Sequence, residues 1–407
     1  METLRPTTED EAIEAVGWAC AGERALEIVS GGTKRGLGGP ADAAAALDLS
    51  ALAGIALYEP EELVLTAKPG TTLAEIDARL AQHGQTLAFE PPDLGPLLGT
   101  GSGLATLGGC IAANLSGPRR FKAGAARDHF LGVRAVSGRG ELFKSGGRVV
   151  KNVTGYDLCK LLAGSWGTLA AMTEITIKVL PAAEKLRTVL VYGLDDEAAI
   201  EAMTRALGGA FEVSGAAHLP AVIAALSEVG RVREPGSPVT ALRIEGPEPS
   251  VLARTESVRA LFGDGNGIDE LHGRNSGAFW REVGEARFHA ASPEEIVWRL
   301  SVPPAEGAAV ARRIVRELEA RAFYDWGGGL IWLALPPGTG DAGAETVRRA
   351  LGPAGGHATL IRAPEEVRRR VPVFHPQPAG LAALSERVKR AFDPRGILNP
   401  GRMGGRS

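Results

Sequence analysis

A chain of 407 residues with 44% hydrophobic and 23% charged side chains is long enough for two or three folded units and too apolar to remain disordered. Its 45 basic and 48 acidic residues nearly cancel, so no long-range field selects nucleic acid or an anionic membrane, and neither nucleic-acid binding nor direct membrane insertion is expected. Cys20, Cys110 and Cys159 are odd in number, widely spaced and without a CxxC pair, which argues against a disulfide framework, a zinc site and a cluster-binding module, and fits a reducing compartment.

The opening METLRPTTEDEAIEAV has no basic n-region and no apolar h-region, and no later stretch reaches the roughly 18 apolar residues of a membrane span. A cytoplasmic location is expected, with any membrane association arising through partners. Residues 8–21 predict a helix with Thr8 as N-cap and Glu11 as its capping-box partner. The β-like run 26–30 ends in SGGTKRGLGG. Ser30, Gly31, Gly32, Thr33 and Lys34 at its head can turn several backbone N–H groups onto a pyrophosphate, because glycine permits the φ values of an anion nest. Alone, a plain turn is the simpler reading of this loop.

LVLTAKPG predicts a strand breaking at Pro69 and Gly70, and TTLAEIDARLAQHG a capped amphipathic helix ending at Gly84. A second glycine-rich stretch, GTGSGLATLGGCIAANLSG, leaves room for a flat ligand against main chain. Leu104, Leu107, Ile111 and Leu115 among its glycines mark a buried small-residue loop and not a flexible linker. Residues 130–180 alternate strand-like runs with turns, including a helix over 157–163 that ends in Gly164, and TEITIKVLP reads as the strand leaving this domain.

Beyond it, TVLVYGL, a helix near 195–208, HLPAVIAAL, TALRIEG, a helix over 250–262, WRLSVP, a helix over 305–321 and LIWLALP predict one antiparallel sheet covered by helices. A helix over 379–392 precedes FDPRGILNPGRM. Gly338, Gly340 and Gly343 satisfy GxGxxG, yet two prolines precede them and too little chain follows for a nucleotide-binding half, so a Gly-Pro loop is expected. Arg368–Arg370 reads as a solvated helix face that could also meet an acidic surface.

These motifs resemble the PCMH-type FAD-binding domain shared by vanillyl-alcohol oxidases, D-lactate dehydrogenases and related flavoenzymes. The resemblance rests on Pro69, Gly70 and Thr71; on Thr106, Gly108, Gly109, Ile111, Ala112, Asn114, Ser116 and Gly117; on Arg127, Asp128 and Gly132; and on Gly164, Ser165, Gly167, Thr168, Leu169, Thr173 and Glu174. FWREVGEARF, WRLSVPP, YDWGGGLIWL, GHATLIR and the C-terminal VFHPQPAGLAALSERVKRAFDPRGILNPGRM are similar to the E-subunit family of glycolate oxidases.

The resemblance implies an α+β fold: a PCMH-type FAD-binding domain over 1–183, with two α+β subdomains at about 1–58 and 59–183. An α+β antiparallel-sheet domain over 184–360 follows, and then a segment over 361–407 returning to the flavin. It implies FAD contacts from the first glycine loop, from Pro69 and Gly70 and from the 106–117 stretch, including Ala113, with 164–175, through Glu174 and Ile175, near the ribityl and adenine portions.

Family members that tether flavin covalently carry a His where Thr33 and Lys34 stand, so non-covalent FAD is expected. Trp166 replaces an acidic motif residue, and His129 and Phe130 occupy variable positions. The family's paired histidines are absent, GDGNG at 263–267 reads as a coincidental turn, and no metal is expected. Catalytic residues are not identified. His375 is a base or, more simply, a structural residue, and Asn399 and Arg402 are flavin-contact candidates carried over from the family's I-L-N-P-G-K ending.

The implied activity is oxidation of glycolate, with D-lactate as a further substrate. A base takes the hydroxyl proton, hydride passes to the flavin and an Arg clamps the carboxylate. The implied partners are a separate iron–sulfur subunit and a larger flavin subunit. A self-sufficient 2-hydroxyacid dehydrogenase and a structural or electron-relay subunit remain as alternatives.

Overall fold

In the computed structural model, which describes residues 1–148, 155–263, 267–352 and 355–404, the chain divides into two compact units. The first gathers 1–116, 124–182 and 376–407; the second gathers 117–123 and 183–375. The motif piece KNVT at 151–154 and the centre of GDGNG lie outside the described residues.

The first unit opens with β1 (Glu2–Leu4), α1 (Glu9–Ala21), β2 (Leu26–Val29) and β3 (Ala45–Asp48), whose strands form a parallel sheet ordered β1-β3-β2. Thr8 caps α1 by accepting from Glu11 N at 3.2 Å. The reciprocal half of the box is displaced by one residue, since the Glu11 carboxylate accepts from Thr7 N at 2.6 Å and from the Thr7 hydroxyl at 2.9 Å.

Next come β4 (Ile55–Glu59), β5 (Val64–Ala67), α2 (Leu73–Ala81), β6 (Gln85–Thr86), α3 (Leu107–Ala113), β7 (Phe130–Ser137), β8 (Leu142–Gly146), β9 (Ala170–Lys178) and β10 (Leu180–Pro181). Five of these strands make an antiparallel sheet ordered β4-β5-β9-β7-β8, and β10 pairs with β6. Because β4 pairs with β5 across Glu59 and Val64, the subdomain division falls before Ile55 and not at 58/59. Phe89, Leu107, Ile111, Phe130, Ile175 and Ile177 are fully buried between this sheet and its helices, each worth about 1.5–3 kcal/mol of apolar burial. Glu9 on α1 accepts from Arg134 Nε at 2.9 Å and from the Thr173 hydroxyl at 2.7 Å, tying the small parallel sheet's helix to β7 and β9.

The second unit holds β11 (Lys185–Tyr192), β12 (Gly215–Leu219), β13 (Val239–Gly246), β14 (Ile268–His272), β15 (Ile296–Ser301), β16 (Arg321–Asp325), β17 (Leu330–Leu335) and β18 (His357–Arg362). They form an eight-stranded sheet ordered β14-β11-β13-β12-β16-β17-β15-β18, antiparallel at every pairing. Alternate residues such as Val189, Leu242, Trp298, Leu300, Ile331 and Leu360 build its core. Toward the other face the helix Gly273–Gly284 lies on β11, where Trp280 Nε1 donates to Thr188 Oγ1 at 2.8 Å.

HLPAVIAAL is strand through Leu219 alone, because Pro220 ends the ladder and Ala221–Ala224 is helical. The helix expected over 305–321 spans Gly307–Leu318, and 321–325 is instead β16. β18 pairs with β15, so 361–375 belong to the second unit and the returning segment starts at Pro376, not at 361. The Gly338–Gly343 loop is a packed connection whose Ala342 carbonyl accepts from Trp298 Nε1 at 2.8 Å. Arg369 pairs with Glu365 one turn away in the helix Glu365–Arg370, and Arg370 pairs with Asp341. Among the described residues no helix is long and apolar enough to cross a membrane.

Candidate functional site: a glycine-lined cofactor cleft

The first unit carries a cleft of about 710 Å³ where the ends of β2 and β9, the start of α3, the turn at 164–168 and the C-terminal tail meet. Its lining includes Ser30, Gly32, Thr33, Lys34, Pro69, Thr106, Gly108, Gly109, Ala113, Gly167, Asn399 and Arg402. Thr106 caps α3, accepting from Gly109 N at 3.3 Å, and its hydroxyl meets the Ser30 hydroxyl at 3.0 Å, so the two glycine loops are pinned together. A Cβ on Gly108 would stand 2.7 Å from Pro69 Cβ, and one on Gly31 2.7 Å from Thr106 Cγ2, so the close approach requires glycine at both positions.

Gly31 and Gly32 have φ of 132° and 73°, a conformation that fans successive N–H groups to one side. Among the described residues, the N–H groups of Gly32, Thr33 and Lys34 find no acceptor. The Lys34 ammonium donates at 3.3 Å to the neighbouring Thr33 hydroxyl and forms no ion pair with a carboxylate among the described residues, while burial, opposed by the Asp93 charge, holds its pKa below the usual lysine value. Behind it, burial pushes the Cys110 thiol up to about 12, so that thiol stays neutral and does not balance the lysine. A partly buried cation and three open N–H groups on residues lining one cleft make a site for an anion, which is the demand a diphosphate satisfies.

The rest of the lining is apolar or tail-derived. Ile28, Val29, Leu49, Ala112, Ala170 and Met172 form an apolar wall beside Trp166 and Arg35. Asn399 accepts from Ile28 N at 2.8 Å and donates to the Trp166 carbonyl at 2.7 Å, joining β2 to the 164–168 turn. Arg402 is 5% exposed and donates to the carbonyls of Arg35 and Leu37 and, at 2.8 Å, to the Glu27 carboxylate. These two candidates for contact with the reacting atoms therefore spend their polar groups on holding the first glycine loop and the turn.

Several expected cofactor contacts stand behind the lining. Gly70 packs under Ser50 and Leu49 carbonyls, where a Cβ would lie 2.5 and 2.7 Å away. Asn114 ends α3 at φ 50° and accepts from Arg127 N at 3.0 Å, and Ser116 accepts from Ala126 N at 2.9 Å. Gly164 N donates to Ile111 O at 3.1 Å, and the Thr168 hydroxyl to Ser165 O at 2.7 Å. Glu174 sits opposite Arg134 in the sheet and Ile175 is fully buried. Gly117 falls in the second unit, its carbonyl accepting from Trp326 Nε1 at 3.1 Å. His375 also falls there, with its Nδ1 buried and without a hydrogen-bond partner among the described residues. His129 is a core residue beside Phe89.

Sequence reasoning missed Trp166, Leu49, Ala170 and Met172 as lining. Trp166 is held at a left-handed φ of 56°, and its place in a motif otherwise acidic was the available signal; Met172 offered none.

Residues 3–146 match the model of the FAD binding domain family, and 375–403 match that of the C-terminal domain of FAD linked oxidases. The fold agrees with 4-ethylphenol oxidase from Gulosibacter chungangensis (TM-score 0.74, 15% identity, 99% of this chain and 88% of that one) and with p-cresol methylhydroxylase (TM-score 0.73, 15% identity, 99% and 88%). Fold and cleft thus define an FAD-dependent oxidoreductase of the PCMH-type class, with FAD as its cofactor. Within that class the chain belongs to the glycolate oxidase E-subunit family. It is 32% identical over 400 residues to glycolate oxidase subunit GlcE of Escherichia coli (strain K12), covering 96% of each chain. It is 27% identical to glycolate oxidase subunit GlcD of Bacillus subtilis (strain 168), covering 98% of this chain and 88% of that one.

Proposed function

We propose that the chain is the FAD-bearing subunit of a glycolate dehydrogenase complex, oxidising glycolate and D-lactate to the 2-oxo acid and passing electrons to an iron–sulfur partner subunit alongside a larger flavin subunit. The observation that carries the reading is the unpaired Lys34 cation beside the open N–H groups of Gly32, Thr33 and Lys34. End-to-end similarity to a glycolate oxidase subunit supports the substrate class. With three unpaired cysteines, two of them buried, this chain offers no cluster of its own, so electrons need an exit through another subunit.

In this reading the loop 31–34 and the Lys34 ammonium neutralise the diphosphate. Among the described residues the cleft lining contains no His, Cys or Tyr, which supports non-covalent retention. Ile28, Leu49, Ala170 and Met172 keep water from one side of the cleft, and Asn399 and Arg402 hold the loops that line it. Bound there, FAD supplies a two-electron acceptor for the hydride leaving the substrate carbon.

The test is the absorbance spectrum of the purified chain, alone and with its partner subunits, before and after glycolate is added. A yellow chain that glycolate bleaches only with partners present is the expected result. Bleaching of the isolated chain would establish the self-sufficient dehydrogenase instead, and a colourless chain a structural subunit.

A further inference from the structure

The cofactor cleft holds a nucleophile that the oxidation does not use. Lys34 is the one lysine of its lining among the described residues, and its side chain folds back along its own loop, placing Nζ 3.3 Å from Thr33 Oγ1. The N–H groups of Gly32, Thr33 and Lys34, without an acceptor among the described residues, belong to the same short stretch. An anion seated on them lies beside the amine. Gly109 faces that nitrogen: a Cβ there would stand 3.7 Å from Nζ and 3.4 Å from Thr106 Oγ1, so the missing side chain leaves space next to it.

Other lysines are engaged differently. Lys122 and Lys185 pair with Glu212 and Glu248, while Lys160 and Lys389 donate to the carbonyls of Phe130 and Thr168. Lys34 has only a neighbouring hydroxyl as acceptor. Burial, opposed by the Asp93 charge, lowers its pKa, so more of it is neutral amine near neutral pH than of a solvated lysine. The neutral amine is the form that attacks a carbonyl carbon.

We propose that in the cofactor-free chain Lys34 is an acylation site for small acyl phosphates: the phosphate seats on the open N–H groups of the loop 31–34 and the adjacent amine takes the acyl group. This rests on reading the cleft as the cofactor's diphosphate site, and not on the substrate acid. The amine nitrogen attacks the carbonyl carbon and an N–C bond forms. The C–O bond toward phosphorus breaks, its electron pair leaves with the phosphate, and the proton lost from nitrogen goes to that phosphate. Amide and inorganic phosphate are the products.

A single bridging oxygen separates phosphorus from the carbonyl carbon of an acyl phosphate, so a phosphate held on the loop carries the reacting carbon to the amine. An acyl donor without phosphate gains nothing from the loop. Acylation removes the positive charge of Lys34 and places an uncharged group where the diphosphate lies. Bound FAD in turn covers the amine. Cofactor loading and acylation therefore exclude one another, and the acyl-phosphate level before assembly sets the fraction of chain able to take up flavin.

The full chain, stripped of flavin, is treated with acetyl phosphate at mildly alkaline pH and mapped by peptide mass spectrometry. Lys34 is expected to be acetylated at least about tenfold faster than the exposed Lys144, a preference lost with the N-hydroxysuccinimide ester of acetic acid and lost when excess FAD is present. The acetylated chain and Lys34→Gln are expected to bind FAD about 10- to 100-fold more weakly in flavin fluorescence titration. A second measurement covers the case in which the stripped chain loses its fold: acetyl phosphate added to the FAD-loaded chain draws flavin off wild type as FAD dissociates, and leaves the flavin content of Lys34→Arg unaltered by the reagent. Acetylation of Lys34 no faster than of Lys144, an equal preference with the phosphate-free ester, or undiminished FAD affinity after full acetylation overturns the site. If that is found while the complex is bleached by glycolate, the acylation site falls alone. If phosphate-dependent acetylation of Lys34 is found in a chain whose complex no 2-hydroxy acid reduces, the dehydrogenase reading falls and the site stands.

Discussion

Lys34 carries a charge into a cleft without a carboxylate partner among the described residues, and burial lowers its pKa from the usual lysine value. Such a group works against folding of the cofactor-free protein and for binding of an anion. Lys34→Met is expected to weaken FAD affinity about 10- to 100-fold, the worth of a charge-assisted contact, while leaving the melting temperature of the cofactor-free chain equal or higher. Flavin fluorescence titration and calorimetry check the two halves. The sign with pH is set by the order of deprotonation: the folded state loses this proton before the unfolded one, so the cofactor-free wild type gains stability relative to the variant as pH rises toward about 10.4. His289 in the second unit gives the acid counterpart. Burial first, then the Arg321 and Arg362 charges, bring its pKa to about 3. Below the unfolded value of about 6.5 the unfolded chain takes up the proton first, so stability falls by up to about 1.4 kcal/mol per pH unit down to the folded pKa. His289→Phe is expected to flatten that slope in urea unfolding between pH 7 and 4. At this scale the sequence marked Gly31, Gly32 and Thr106 through motif spacing, but Lys34's lack of a partner was not legible, because what surrounds an ammonium depends on segments remote in the chain.

Among the elements, the helix Ala379–Phe392 has no fully buried residue: Val388 and Phe392 pack at the edge of the first unit's core, and the residues C-terminal to the helix add to its docking. Asp393 is fully buried and accepts from Ile397 N at 3.1 Å, Leu398 N at 2.8 Å and the Lys389 ammonium, which also donates to Thr168 O at 2.6 Å. One carboxylate thus folds the tail and links it to the turn beside the cleft. Asp393→Ala leaves two N–H groups and a largely buried cation short of an acceptor, and is expected to cost on the order of 3 kcal/mol, with FAD lost on gel filtration as the readout. Most helices were legible from caps and apolar spacing: Thr8 caps the helix expected of it, and Thr72 and Asp157 turn out to cap the helices expected in their stretches. β14, β16 and β18 were not, because short strands inside a helix-rich stretch are specified by their neighbours in the sheet and carry little periodicity of their own. The capping box on α1 closed on Thr7 for a related reason: which N–H a flexible carboxylate reaches is settled by geometry finer than residue spacing.

At the scale of the whole molecule, the first unit is discontinuous: its last segment arrives after 193 residues of the second unit's main segment, 183–375. Ile397 and Leu398 complete a core with Val16, Leu26 and Leu47, and Leu398 bridges Leu26. A chain ending at His375 keeps the second unit's segments intact and removes the tail from the first. It is expected to retain no flavin, while its tryptophan emission stays near that of the full chain, since Trp280, Trp298, Trp326 and Trp332 lie in the second unit. A red-shifted emission would contradict that independence.

Composition limited the possible classes through balanced charge and too few cysteines for a cluster, and the ordered motifs gave the class through the family they resemble. The same resemblance pointed to the C-terminal ILNPG segment. What the tertiary structure alone decided is which residues face the cleft and which stand behind it. Gly108 lines it while Gly70, in an equally recognisable motif, packs under main chain, and Arg402 is turned into a strut by Glu27 and two carbonyls. Local spacing limits the backbone conformations a segment can adopt. The direction of a side chain's charge is set by segments hundreds of residues away, and those come together only when both sheets and the tail have closed around a common core.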